Sequence, residues 1–510
     1  MASCISDETK LLLSSYTCEH PLDAQVVMLI KKLHDSIRDN DDDYELFRHS
    51  SETDKLWEIL ISKSIKCLRY FDNREPFKNN SHKKPKAYGI DDLNKYYSEY
   101  KEFEKILYGS GKYYRDHIVH VFRTWLTGIE CMVKNDGEYL KFLTIYDDEP
   151  IELENVEKIS IWTIISLTHD LGYPLEKAKS IINTTRSMVS TFVTNPDISM
   201  DLSFHGVQNY MNDFIVRLMS SKMIKTDALD DNNKPKYVAR LQPKYYFKFQ
   251  KSLEKTNHGI VSTLIIYKLL TYFLESDYNI NEDYLFGQED RRQFYIRREI
   301  LRSIASHTCT DVYHMHMGSF AFLLIIADNT QEWGRKYISE LYVQSNDKYE
   351  LGEIVLQISS AKDNKCKLSE ILAIPEKKGA NTIIDFIKRL KNQSLDYITI
   401  FRDGQDTIHR DFSFTRKFIL KYESNPVIEF QFEFEIPKDA ASSLKCTINY
   451  CSNYVKNNVF GCGFINKLKD EIDSTISIQA YDEDGQEINA PSQENQSAWR
   501  KVKFSIEVSN

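Results

Sequence analysis

The feature that most constrains this chain is an apolar run, Ile159 to Leu167, that closes on His169-Asp170 and is followed at once by Leu171-Gly172-Tyr173-Pro174. A helix this apolar has to be buried on most of its surface. The glycine and proline behind it end one helix and start the next. An imidazole and a carboxylate are therefore expected at a buried helix end, where an unpaired carboxylate costs several kcal/mol or more. A divalent cation compensates that cost directly. Context matters here, because with 13 histidines about one His-Asp pair is expected by chance. A second pair, His34-Asp35, lies in the polar stretch Lys31-Lys32-Leu33-His34-Asp35-Ser36, with no apolar run before it and no glycine after it. It reads as a solvated helix face.

A length of 510 residues exceeds one compact core and predicts two or three domains. Hydrophobic content of 42% and aromatic content of 12% are those of a globular chain. A net charge of −9 argues against a surface coated for duplex binding, although a local basic groove stays open. Nine cysteines without a CxxC pair form neither a disulfide framework nor a thiolate zinc site. Met1 to Ser15 lacks the pattern of a signal peptide. The run Phe320 to Ala327 is far shorter than the ~20 residues of a membrane span. A soluble cytoplasmic protein without a membrane partner is expected.

Three regions follow from the periodicity, and no fixed-period repeat is present. Residues 1–110 read as helices, including Ala24–Leu33 and Leu56–Leu68, separated by the acidic run Asn40–Glu45 and the loop Asn79–Lys86. Residues 111–337 predict helices over Tyr113–Cys131, Val156–Leu171, Leu175–Val193, Val207–Met223, Gly259–Leu274, Arg291–Ser306 and Ser319–Asp328. Residues 338–510 alternate apolar and polar residues over Glu353–Ile358, Val427–Ile436, Lys445–Tyr450, Thr475–Ala480 and Lys501–Val508, as half-buried strands do. A helix over Asn381–Leu390 and a hairpin turn at Asp482–Gly485 complete the pattern. The expected fold is mainly α: a helical bundle with a helical N-terminal extension, then a smaller α+β domain.

Five segments carry histidine or aspartate beside an apolar helix: Arg115–Gly128 (RDHIVHVFRTWLTG), Ser166–Pro174 (SLTHDLGYP), Thr256–Leu264 (TNHGIVSTL), Ser303–Thr308 (SIASHT) and Leu323–Arg335 (LLIIADNTQEWGR). In this order they resemble the HD superfamily of metal-dependent phosphohydrolases, over about 225 of the 510 residues. The resemblance implies a helical bundle with His120, His169, Asp170 and Asp328 as metal ligands and His258 and His307 as further ones. Between His117 and His120, three apart on one helix, the family pattern of apolar residues after the metal histidine favours His120. His117 is then a candidate acid for the leaving oxygen or a hydrogen-bonded support to the ligands. Where many members carry lysine after the HDxG element, this chain has Tyr173. Lys177, one turn on, together with Arg115, Asn257 and Arg335, is a candidate for contacting substrate phosphate.

The donor chemistry agrees with the resemblance. Nitrogen and oxygen ligands suit borderline to hard divalent ions such as Mn, Mg, Fe, Ni, Co or Zn. Four ligands hold one ion, and six are enough for two bridged by the Asp170 carboxylate. Two such ions can activate a water and clamp a phosphoryl oxygen. The expected activity is hydrolysis of a nucleotide or related phosphate mono- or diester.

Asn232–Lys251 combines six basic residues with Tyr237, Tyr245, Tyr246, Phe247 and Phe249 and no acid, the composition of a single-strand binder or of a hairpin or short helix with aromatics in the core and lysines in solvent. His205, His314 and His316 read as cap or loop residues, and Cys309 has no base at a defined spacing. No P-loop, dinucleotide-binding glycine pattern or HExxH is present. Three alternatives stand beside the phosphohydrolase: an HD-type single-strand nuclease, a di-iron oxygenase, and a regulatory protein whose metal site is inactive.

Overall fold

The computed structural model describes residues 51–508, except 73–86, 111–115, 147–149, 195–206, 277, 280, 282, 310, 313–315, 332–349, 352–354, 360–364, 376–378, 401–412, 424–426, 438–440, 450–459 and 473. His34-Asp35, Ala24–Leu33, Arg115, His205, His314 and Arg335 lie outside the described residues.

The apolar run becomes helix α4 (Asn155–Thr168), in which every residue from Glu157 to Thr168 is buried. Four helices close around it: α1 (Ser51–Asp72), α3 (Ile118–Phe142), α10 (Gln288–Ser306) and α11 (Phe320–Gln331). Three indoles set the spacing, each with its N–H satisfied as a buried tryptophan requires. Trp57 donates to the Leu167 carbonyl at 3.0 Å, Trp125 to Thr163 Oγ1 at 2.9 Å, and Trp162 to the Trp125 carbonyl at 3.0 Å. Gly128 of α3 faces Trp162 so closely that a Cβ would lie 2.1 Å from its ring. Buried Lys158 donates to the Leu140 and Lys141 carbonyls at 2.9 and 3.3 Å, filling acceptors left open at the end of α3.

Helix α2 (Ile90–Ser110) lies beside α1, where Tyr97 stacks on Trp57 at 4.3 Å, and its Tyr96 hydroxyl donates to the Leu171 carbonyl at 2.7 Å. The helices before residue 110 thus share the core of the later ones. α5 (Tyr173–Val189) carries Pro174 in its first turn, ends short of the expected Val193, and packs against α2 and α8 (His258–Leu269). α6 (Val207–Ser220) and α7 (Pro243–Glu254) flank a two-stranded ribbon, β1 (Ser221–Leu229) with β2 (Pro235–Leu241). The predicted helix Val207–Met223 therefore stops at Ser220, because Ser221–Met223 enter that ribbon. The helix expected over Gly259–Leu274 breaks at Leu270 into α8 and the single turn α9 (Thr271–Leu274).

The C-terminal part is one mixed sheet of nine strands in the order β10-β9-β11-β8-β7-β6-β5-β3, with β4 also on β5. Its strands are β3 (Glu350–Leu351), β4 (Val355–Ser359), β5 (Lys365–Pro375), β6 (Ser413–Glu423), β7 (Ile428–Ile436), β8 (Ser443–Asn449), β9 (Ile476–Tyr481), β10 (Glu487–Ile488) and β11 (Lys501–Glu507). β5 and β6 are parallel and joined through α12 (Gly379–Ile400); the other pairs are antiparallel. The Asp482–Gly485 turn forms as read, with Asp482 N–H donating to Gln486 O at 3.0 Å and Gly485 at φ 76°. Strands β5 and β6 and helix α13 (Cys462–Glu471) lie outside the segments whose periodicity predicts an element.

One face of the sheet is apolar: Phe386 of α12 packs on Phe418 and Phe432, and Phe460 on Tyr422, Phe430 and Phe464 of α13. The alternate residues, such as Lys417, Glu433 and Lys445, are exposed. The sheet meets the helices where α3 touches β4 and where Phe322 of α11 meets Phe414 of β6 at 6.4 Å between ring centres. Buried residues of both parts form one hydrophobic cluster. Among the described residues no helix is long and apolar enough to cross a membrane, and the six described cysteines are free thiols.

Candidate metal centre

Five helices deliver the six predicted side chains to one place. His120 comes from the first turn of α3, His169 caps the end of α4 with Asp170 next to it, and His258 begins α8. His307 caps the end of α10, and Asp328 lies on α11. Two helix C-termini thus point their partial negative charge at the site, which favours a cation there.

The donors fall into two groups that share Asp170. Around Oδ2 stand His169 Nε2 at 3.4 Å and His120 Nε2 at 3.7 Å, and His120 Nε2 is also 2.8 Å from Asp328 Oδ1. Around Oδ1 stand His258 Nε2 at 3.4 Å and His307 Nε2 at 3.7 Å. Each group, His120-His169-Asp170 and Asp170-His258-His307, can hold a metal ion. Ligand atoms about 2.0–2.2 Å from a common ion stand roughly 3–3.5 Å from one another, the spacing found here.

The tautomers agree. His169 Nδ1 lies 2.8 Å from the Ser166 carbonyl, His307 Nδ1 2.5 Å from the Ile304 carbonyl, and His258 Nδ1 2.8 Å from Glu176 Oε2. With each Nδ1 donating its proton, each neutral ring turns a lone pair inward at Nε2. His258 Nε2 and His307 Nε2 then face each other at 3.2 Å as two acceptors, an arrangement that a shared proton or a cation relieves. His169 Nε2 and both ring nitrogens of His120 are buried without a hydrogen-bond partner. The short approach of His120 to Asp328 is thus not aligned as a hydrogen bond, as expected of two donors aimed at a common ion. Buried polar atoms are seldom left this way.

Charges follow burial and neighbours. Burial pushes the His169 imidazole down to about 4, so it stays neutral and able to ligate. Burial also acts on His307, but the negative charge of Asp170, 3.7 Å away, outweighs it and raises its value. For Asp170 and Asp328 the desolvation is outweighed by the surrounding histidines, His169 foremost for Asp170 and His120 for Asp328, and both carboxyls are held below the usual carboxylate range.

Close packing fixes the frame. A Cβ on Gly172 would lie 2.3 Å from the His258 carbonyl, and one on Gly259 would lie 2.6 Å from Thr308 Oγ1. The Ser262 hydroxyl accepts the Gly172 N–H at 2.8 Å and lies 2.7 Å from the His169 carbonyl, tying α8 to the turn after α4.

His117 stands just before α3, its ring 6.4 Å from that of His120. It is buried against Tyr173, the two rings tilted by 32° with their centres 3.7 Å apart, with Nδ1 3.4 Å from Glu104 Oε1 and its backbone N–H donating to the same oxygen at 2.8 Å. Asp116 rather than His117 caps α3, accepting from Ile118 and Val119 at 3.3 and 3.0 Å. Lys177 Nζ lies 4.7 Å from the Tyr173 ring centre and 3.9 Å from Glu176. Asn257 spends its amide on Ser252 Oγ at 3.1 Å and the Thr308 carbonyl at 3.4 Å, holding the segment after His307. Glu104 and Glu176 were missed in the sequence. Glu176 follows Asp170 closely enough to have been noticed, whereas nothing in the sequence ties Glu104 to the site.

No family model, curated protein or solved structure matches the chain.

Proposed function

We propose that this chain is a metal-dependent phosphohydrolase of the HD type, acting on a nucleotide or related phosphate ester with two divalent ions bridged by Asp170. The observation that carries the reading is the division of the Asp170 carboxylate, each oxygen of which faces two inward-turned histidine nitrogens. Ions in this N/O site, drawn from Mn, Mg, Fe, Ni, Co or Zn, would supply an activated water and a clamp for phosphoryl oxygens. His120, His169 and Asp328 hold one side, and His258 and His307 the other. His117, with Nδ1 beside Glu104, would give a proton to the leaving oxygen. Lys177 is the described basic side chain for a substrate phosphate, with Arg115 and Arg335 as further candidates from the sequence. A cytoplasmic location, with reduced thiols, belongs to the same reading.

The basic-aromatic segment favours a small substrate over a nucleic-acid strand. Tyr237 and Phe249 are buried, Tyr245 and Tyr246 pack against the core, and Phe247 alone of the five rings is exposed, at 68%. One exposed ring is a poor stacking platform for successive bases.

The test is a screen of purified protein with Mn, Mg, Ni, Co and Fe against nucleotides, cyclic nucleotides and single strands, with His169→Ala and Asp170→Ala beside it. The reading predicts phosphate release that both substitutions abolish; activity that survives both refutes it. Oxygen consumption by an iron-loaded form would replace it with the di-iron oxygenase. Bound metal without any turnover would point to the regulatory alternative.

A further inference from the structure

We propose that Glu176 is the positioning residue of the second metal seat, fixing His258 in the one orientation and tautomer that can ligate. The inference rests on the binuclear reading above. Glu176 Oε2 accepts two bonds from the same residue, from the His258 backbone N–H at 2.9 Å and from its Nδ1 at 2.8 Å. The first satisfies an otherwise open N–H at the start of α8. The second commits the Nε2 lone pair of His258 to the side of Asp170 and His307.

The other ring contacts differ in kind. His169 and His307 are oriented by backbone carbonyls of their own helices, so their tautomers come with the helix ends. His258 begins its helix and has no preceding turn to offer a carbonyl. Its support comes instead from another element, the first turn of α5. That reach is available because Gly172 lets the start of α5 approach the His258 carbonyl more closely than any side chain would allow. A carboxylate partner also raises the basicity of a ligating imidazole more than a carbonyl does. The seat needs this support more than the first one, since His258 is 19% exposed while His120 and His169 are at most 1%.

The experiment titrates the metal-free full-length chain with manganese chloride and counts ions and affinities, with thermal melting of each metal-free variant as a control for folding. Wild type is expected to bind two ions. Glu176→Gln is expected to weaken one ion about 10–100-fold and leave the other unchanged. His258→Ala is expected to abolish that same ion, and adding Glu176→Gln to it should change nothing further, since the two residues act through one ring. If Glu176→Gln keeps both ions at wild-type affinity, the inference is overturned and the binuclear reading stands. Equal weakening of both ions, together with a lowered melting temperature, would make Glu176 a structural residue and overturn it as well. A wild type that binds fewer than two ions refutes the binuclear reading, and this inference with it.

Discussion

His120 has the surroundings that make least sense without a cation: 1% exposed, both ring nitrogens without a hydrogen bond, one of them 2.8 Å from an aspartate oxygen. Asp170 binds both halves of the site together, so Asp170→Asn should reduce the affinity for both ions by 100-fold or more, on the order of second-sphere losses and beyond. Metal analysis after gel filtration checks this. His117→Gln should behave differently, lowering turnover about 10²–10⁴-fold with metal content unchanged; a loss of metal would make His117 a ligand instead.

Away from the site, Glu299 offers a test of buried charge. Burial raises its carboxyl above the usual value, against the opposing pull of Arg298 and Arg302. With the folded value above the unfolded one, the folded chain holds this proton more tightly, and stability falls as pH rises through that window. Glu299→Gln should therefore match wild type in acid and melt higher near neutrality, as melting at several pH values will show. At this scale the sequence displayed the histidines and aspartates, which mark themselves by type and by apolar context. It could not display the role of Glu104, which arises only when α2 meets α3, and it showed Glu176 only as a carboxylate close behind Asp170, its hold on His258 appearing when α5 meets α8.

At the scale of elements, α4, α8 and α11 were readable because helices buried on nearly all sides need little but apolar residues. Strands β5 and β6 were not, and the reason is chemical. Each turns a charged residue inward, Glu370 and Arg416, which breaks the alternation that marks a half-buried strand. The two pair with each other, Arg416 Nη2 lying 2.9 Å from Glu370 Oε1, and Arg416 Nη1 donates to Gln393 of α12 at 2.7 Å. Arg416→Met alone leaves the carboxylate uncompensated and should cost about 3–5 kcal/mol. The double variant with Glu370→Leu should recover most of that loss in chemical denaturation. Gly128→Ala should destabilise by about 1–3 kcal/mol or more, because the new methyl meets the Trp162 ring and α3 cannot withdraw without loosening α4.

At the scale of the whole molecule, the candidate ligands span residues 120 to 328 and come from five helices, the last of which returns Asp328 to the His120 of the first. An ion that binds only the folded arrangement adds RT ln(1 + [L]/Kd) to its stability, about 2.7 kcal/mol at a hundredfold excess over Kd. A chelator should therefore lower the melting temperature of wild type and leave that of Asp170→Asn unchanged. Synthesis gives this layout a further meaning. A nascent chain that has emerged through α10 already presents all four imidazoles of the site and the Asp170 carboxylate between them. Asp328 arrives only with α11, so the pocket of His120 is the last to be completed, and until then it is a half-built cage.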